Sequence, residues 1–180
     1  MTGRERVRRA LNHERTDRIP VAIVCSGVNE PTRTELDAYL RKAHDTSLEA
    51  FLFETIDIVG VGPEYVGPEL ADGEDCWGVR RAPVRHALGE YDEICHYPLN
   101  GAESLEDIGR HRWPSPDWFD YDVIPKQIER LLRGRERAIM ASNGNIFESS
   151  WYMRGMDTLM MDFVLHPEFA HAIAERVTCF

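Results

Sequence analysis

The sequence predicts an α/β protein built on a parallel sheet, and three observations carry that reading. Short continuous apolar runs recur at residues 21–24, 56–61 and 138–141. Runs of this kind suit strands buried on both faces, as in parallel sheets. Segments with helical spacing separate them, and strands alternating with helices imply βα units. A barrel and an open doubly wound sheet both satisfy the pattern. At 180 residues the chain is long enough for one domain with a core.

The elements follow in order. Thr2-Gly3-Arg4-Glu5 has the form of a capping box, in which Thr2 accepts from the Glu5 amide and the Glu5 carboxylate reaches back. Val7, Ala10 and Leu11 then mark one helical face, and Asp17 to Pro20 ends the segment before the strand Val21-Ala22-Ile23-Val24. Glu35 to Ala43 reads as a helix with Leu36, Tyr39 and Leu40 on one side. Leu48 to Phe53 is a second, started by Asp45 or Ser47. Ile56-Asp57-Ile58-Val59-Gly60-Val61 is the second strand. Residues 62–100 are rich in Gly, Pro and charge, with alternating pieces at Trp77–Val84 and Tyr91–Tyr97 that suggest a β-hairpin. Ser104 to Ile108 is a short capped helix. Ile124, Ile128, Leu131 and Leu132 fall at i, i+4, i+7 and i+8, an amphipathic helix stopped by Gly134. Ala138–Ala141 is the third strand. Helices finish the chain, with Leu159, Met160, Phe163 and Val164 on one face and His166-Pro167 as punctuation. The last residues, Arg176 to Phe180, are still in helical phase, so the chain is expected to be an interrupted protein.

Composition narrows the function. A net charge of −10 argues against nucleic-acid or anionic-membrane partners. No apolar run approaches the roughly 18 residues of a membrane span. The basic N-terminus lacks the apolar core of a signal peptide, and Glu5, Glu14 and Asp17 are unlike a transit peptide, so a cytoplasmic protein is expected. Cys25, Cys76, Cys95 and Cys179 show no repeated spacing and no C-x-x-C, so buried or idle thiols are expected.

Few motifs point to a site. Gly60-Val61-Gly62 has the wrong spacing for a dinucleotide loop, and Pro63 and Pro68 stand where a helix should receive the pyrophosphate. Cys95-His96 are neighbours whose side chains point to opposite faces of a strand, a poor metal pair. Asp57 lies within an apolar run and needs a partner, for which a neighbouring helix end serves. Glu64 follows the second strand, where ligand loops of parallel α/β proteins gather.

The stretch AIMASNGNIFESSWYMRGMDTLMMDF, residues 138–163, is the richest in chemistry. Asn143, Asn145 and Glu148 follow the third strand directly. Amides there can orient a carbonyl or carboxylate, and a carboxylate can accept a proton. Glu148 and Tyr152, four apart, share a helical face. Arg154 points elsewhere, toward an ion pair or a helix end. Trp151 and the methionines are expected in the core. The candidate substrate-binding residues are therefore Tyr152, Glu148, Glu64, Asn143 and Asn145.

TGRERVRRALNHERTDRIPV, DCWGV, YPLNGAESLEDI with WPSPD, and FESSWYMRGMDTLMMDFVLHPE occur in that order over nearly the whole chain. Together they resemble the uroporphyrinogen decarboxylase superfamily, which joins the decarboxylases to cobalamin-dependent methyltransferases. The resemblance implies a (β/α)8 TIM barrel with its site at the strands' carboxyl ends. It makes residues 1–180 the N-terminal part of one such barrel, with the C-terminal half absent. The decarboxylases follow their first strand with an Arg-Gln-Ala-Gly-Arg segment that binds substrate carboxylates. Here that place holds Cys25-Ser26-Gly27-Val28, and a tetrapyrrole would lose its main counter-charges. The family's aspartate after the second strand falls near Glu64, and its pocket tyrosine falls on Tyr152.

The methyltransferase branch is the nearer likeness. It implies an enzyme moving a methyl group between a corrinoid and a thiol or related acceptor, with zinc activating the thiol as thiolate. The zinc ligands of that branch, a His-x-Cys and a later Cys, lie in its C-terminal half, and this sequence contains no His-x-Cys. Zinc and a corrinoid (cobalamin) are thus expected only of the complete enzyme. The expected partners are a small-molecule substrate, a corrinoid protein, and further copies of the chain through the open barrel half. The alternatives are uroporphyrinogen decarboxylation and a non-catalytic fragment.

Overall fold

The computed structural model describes residues 1–23, 27–87, 89–141 and 145–180. In chain order the helices are α1 (Gly3–Leu11), α2 (Thr32–His44), α3 (Leu48–Thr55), α4 (Leu105–Arg110), α5 (Ile124–Leu132), α6 (Ile146–Arg154), α7 (Met156–Leu165) and α8 (Pro167–Cys179). The strands are β1 (Ile58–Val61), β2 (Glu64–Tyr65), β3 (Arg80–His86), β4 (Gly89–His96), β5 (Phe119–Asp120) and β6 (Ala138–Ala141). They form three two-stranded sheets among the described residues. The chain divides into two compact units, Met1–Glu64 with Tyr121–Ser142, and Tyr65–Asp120 with Asn143–Phe180.

The first unit is the βα part. β1 and β6 pair in parallel, with Ile58 opposite Ala138 and Val61 opposite Ala141. The second and third apolar runs are therefore neighbouring parallel strands, as their composition predicts. They are not buried on both faces. Val59 is buried, but Ile139 is 44 % exposed, because two strands leave open edges that α1 and α5 only partly cover. The first run differs more. Val21 to Ile23 is not a strand, and Val24 lies outside the described residues. A single backbone bond, from the Asp57 N–H to the Val21 carbonyl at 2.8 Å, holds Val21 beside the start of β1. The capping box at Thr2 is half made: the Glu5 amide donates to Thr2 Oγ1 at 3.2 Å, while the Glu5 carboxylate pairs with Arg9.

Asp57 shows why Val21 stops there. Its carboxylate is buried and accepts from Arg6 at 2.5 Å, from Arg18 at 2.6 Å and from the Val21 N–H at 2.9 Å. Arg6 also forks onto Asp17 at 2.6 and 2.8 Å. The expected helix-end partner of Asp57 is thus replaced by two guanidinia, which neutralise the charge as well as satisfying the oxygens.

The second unit packs α4, α6, α7 and α8 around Val79, Leu99, Ile108, Met153 and Ile173, all nearly inaccessible. The hairpin expected over Trp77–Tyr97 is present as antiparallel β3 and β4. The Val66 N–H donates to the Trp118 carbonyl at 2.8 Å and ties the segment after β2 to the one before β5. Ser104 and Asp107 form a complete capping box at α4.

Arg154, 5 % exposed, fixes the 97–102 loop onto the end of α6. It pairs with Asp162 at 2.7 Å and donates to the Leu99 and Ala102 carbonyls at 2.6 and 3.0 Å. That is the ion pair its sequence position predicts. The methionines divide. Met153 is core, but Met156, Met160 and Met161 are exposed, because the outer face of α7 has nothing packed on it within this unit. No helix of the described residues is long and apolar enough to cross a membrane.

Candidate functional site

The polar group on α6 is built from the helix's first two turns. Glu148 and Tyr152 stand four residues apart, and the Tyr152 hydroxyl donates to Glu148 Oε1 at 2.7 Å. The other oxygen, Oε2, accepts from the Asn145 side-chain amide. Both carboxylate oxygens are thus held, and the carboxylate cannot rotate without losing a partner. Its place in the first turn of α6 also suits a negative charge. Asn143 lies outside the described residues.

Tyr152 has two environments. Its ring packs against the Val79–Leu99–Met153 core and edge-on to Trp151, with centroids 4.3 Å apart. Its hydroxyl meets Glu148. This is the usual division of a tyrosine between an apolar body and a polar tip. The hydrogen bond to Glu148, then burial, then the carboxylate's charge all push the phenol pKa up, and Arg81 only partly opposes them. The hydroxyl therefore remains a donor throughout the neutral range.

Arg81 is the member that sequence reasoning missed. Its guanidinium lies 5.0 Å from the Tyr152 ring centroid, a cation–π contact, and its Nη1 pairs with Asp75 at 2.8 Å. Asp75 in turn accepts from the Trp77 and Val79 amides at 3.0 and 3.1 Å, which shapes the turn leading into β3. Gly73 permits the approach. Its φ is +69°, and a Cβ there would penetrate the Arg81 carbonyl oxygen. The local signal was the D-x-W-G turn, but its link to Tyr152 is long-range in sequence.

Glu64 belongs to the first unit, just past the carboxyl end of β1. It lines a cleft of about 520 Å³ with Lys126, Gln127 and Arg130 of α5. The Gln127 side-chain oxygen accepts from the Gly62 N–H at 3.2 Å and anchors that loop to α5. The five sequence candidates therefore divide. Asn145, Glu148 and Tyr152 come together, Glu64 lines its own cleft, and Asn143 is not described.

No family model matches the chain, and no curated protein and no solved structure matches it.

Among the described residues, no three His, Cys, Asp or Glu side chains gather in a group able to hold a metal. Cys76 is half-buried, and burial pushes its thiol up to about 11, so it is no ready thiolate ligand. Cys95 donates its Sγ–H to the Arg80 carbonyl at 3.4 Å on the exposed hairpin. The described residues form no zinc centre.

Proposed function

We propose that the chain is part of a uroporphyrinogen decarboxylase-type enzyme on its methyltransferase side, handling a small substrate for methyl transfer between a corrinoid and a thiol or related acceptor. The observation that carries this reading is the Asn145–Glu148–Tyr152 set. It holds a carboxylate against a phenol whose pKa is raised, along one face of the helix that follows β6 in sequence, on residues whose sequence surroundings resemble that family's pocket.

The role of these groups is orientation. Glu148 already accepts two hydrogen bonds and keeps lone pairs free for a substrate N–H or O–H. The Tyr152 oxygen, donating to Glu148, can accept a further hydrogen bond. A preset negative charge here disfavours a substrate rich in carboxylates, and Cys25-Ser26-Gly27-Val28 supplies no arginine to offset it. This supports methyl transfer over tetrapyrrole decarboxylation. Among the described residues no group could hold zinc, and no step is assigned to a metal here.

The test is a methyl-transfer assay with methylcobalamin as donor and an alkyl thiol as acceptor, followed by the corrinoid absorbance and by thioether formation. Tyr152→Phe is expected to cut the rate about fivefold, the value of one lost hydrogen bond near 1 kcal/mol. Glu148→Gln is expected to cost more, since it removes the charge as well. Conversion of uroporphyrinogen to coproporphyrinogen would overturn the preference for methyl transfer. An unchanged rate in Tyr152→Phe would reduce that residue to a core ring with an incidental hydroxyl.

A further inference from the structure

The first unit contains a second cleft, of about 380 Å³, between α3, β1 and α5. Its apolar wall includes Phe53, Val59 and Leu131. Its charged residues are Arg33, Arg130, Arg133 and Arg137 against a single carboxylate, Glu49. That carboxylate is engaged, because Arg133 pairs with it at 3.2 Å. Among the described residues none of Arg33, Arg130 and Arg137 forms an ion pair. Three cations without a salt-bridge partner thus share one cleft of a chain whose net charge is −10.

Arg137 is the most telling of them. It is 4 % exposed, yet its guanidinium donates only to backbone carbonyls, Leu131 at 2.9 Å and Phe53. Carbonyls accept two of its five hydrogens but bring no full negative charge to it. Burial, and then the nearby Arg135, lower its pKa, and the carboxylates of Glu54 and Asp57 only partly oppose them. The Phe53 ring carries the crowding: the guanidinia of Arg133, Arg135 and Arg137 lie 5.1, 5.1 and 4.1 Å from its centroid. Arg135 pairs with Glu54, so its charge is met locally. Among the described residues Arg137 has no carboxylate within salt-bridge distance.

We propose that this cleft binds a small anion with a flat apolar body, of the aryl phosphate or aryl carboxylate class. The guanidinia of Arg33, Arg130 and Arg137 meet the anionic head, for which their planar forks are suited. Phe53, Val59 and Leu131 cover the body. The volume suits a ligand of that size. The site is separate from the Tyr152–Glu148 pair, which belongs to the other unit, and its test reads binding alone.

The experiment is calorimetric titration of the protein with phenyl phosphate, benzoate, inorganic phosphate and benzyl alcohol. Phenyl phosphate is expected to bind saturably and about tenfold more tightly than either the head alone or the body alone. Arg33→Gln and Arg130→Gln each change an exposed side chain, so folding should survive, which circular dichroism and the unfolding midpoint verify. Each is expected to weaken phenyl phosphate about fivefold. Arg85→Gln on the hairpin serves as the control and should leave binding unchanged. Absence of saturable binding up to about 10 mM, on an affinity scale where millimolar is already weak, overturns the proposal. So does binding of phenyl phosphate by the two cleft variants as tightly as by the unsubstituted protein, or inorganic phosphate binding as tightly as phenyl phosphate.

Discussion

Asp57 ties the pH dependence of the first unit to a buried cluster of charges. Burial by itself would raise its pKa, but the Val21 N–H, Arg18 and Arg6 outweigh burial and hold it below the usual range. Asp17, hydrogen-bonded to Arg6, is likewise held well below the usual carboxylate range. A carboxylate with a depressed folded-state pKa stabilises the fold fully above its unfolded value of about 3.9, and that contribution disappears as pH falls through the folded value. The unfolding midpoint should therefore be flat from neutral pH to about pH 5 as far as these two groups decide it, then drop steeply below about pH 4. Asp57→Asn should cost about 3–5 kcal/mol at pH 7, because Arg6 and Arg18 lose a buried counter-charge, and it should flatten the acid limb. A midpoint unaffected by this substitution would show that the cluster contributes nothing net. At this scale Glu148 and Tyr152 were legible in the sequence, since an i, i+4 pair on a helix must share a face. Arg81 was not, because only the folded turn at Gly73 and Asp75 delivers it to the ring. The partners of Asp57 were equally hidden. An apolar run containing an aspartate demands compensation, but nothing local names Arg6, 51 residues away.

At the scale of elements, α6 connects the site to the core of the second unit. Its first turn carries Glu148, its middle carries Tyr152 and Met153, and its last residue, Arg154, holds the 97–102 loop. Arg154→Ala would leave Asp162, 2 % exposed, as a buried unpaired charge, and would free three loop carbonyls. The expected loss is about 3–5 kcal/mol, read as a lowered urea midpoint. Replacing Arg154 and Asp162 together by apolar residues of similar volume should recover much of it, because the desolvation penalty of both charges is removed along with their attraction. A double variant as unstable as the single would place the loss in the loop contacts instead of the ion pair. Most helices could be read from periodicity and caps: α5 from its i, i+4, i+7 spacing, α4 from Ser104 and Asp107. The strand expected at Val21 could not be judged this way. Four apolar residues make a strand only when a neighbour offers a ladder, and here Asp57 takes the Val21 amide for its side chain.

For the molecule as a whole, exposed apolar surface is the informative quantity, and the second unit groups large apolar side chains on α7. Met161 is 54 % exposed, Phe163 50 %, Val164 80 % and Leu165 64 %. Phe147 of α6 stacks on Phe163, with centroids 6.4 Å apart, and extends the same face. Contiguous apolar surface of this kind drives association in water. The protein is therefore expected to bind an uncharged hydrophobic dye in native buffer, and its sedimentation-averaged mass should rise with concentration. An uncharged dye matters, since an anionic one would also report on the arginine cleft. Val164→Glu with Leu165→Glu places charges on the most exposed part of the face. That pair should lower both dye fluorescence and association while changing stability by no more than about 1 kcal/mol, as surface substitutions generally do. A protein that stays monomeric across the concentration series and leaves the dye dark would show that this face is tolerated by water. Reduced dye binding with undiminished association would move the contact to another apolar surface, such as the open edge at Ile139, 44 % exposed.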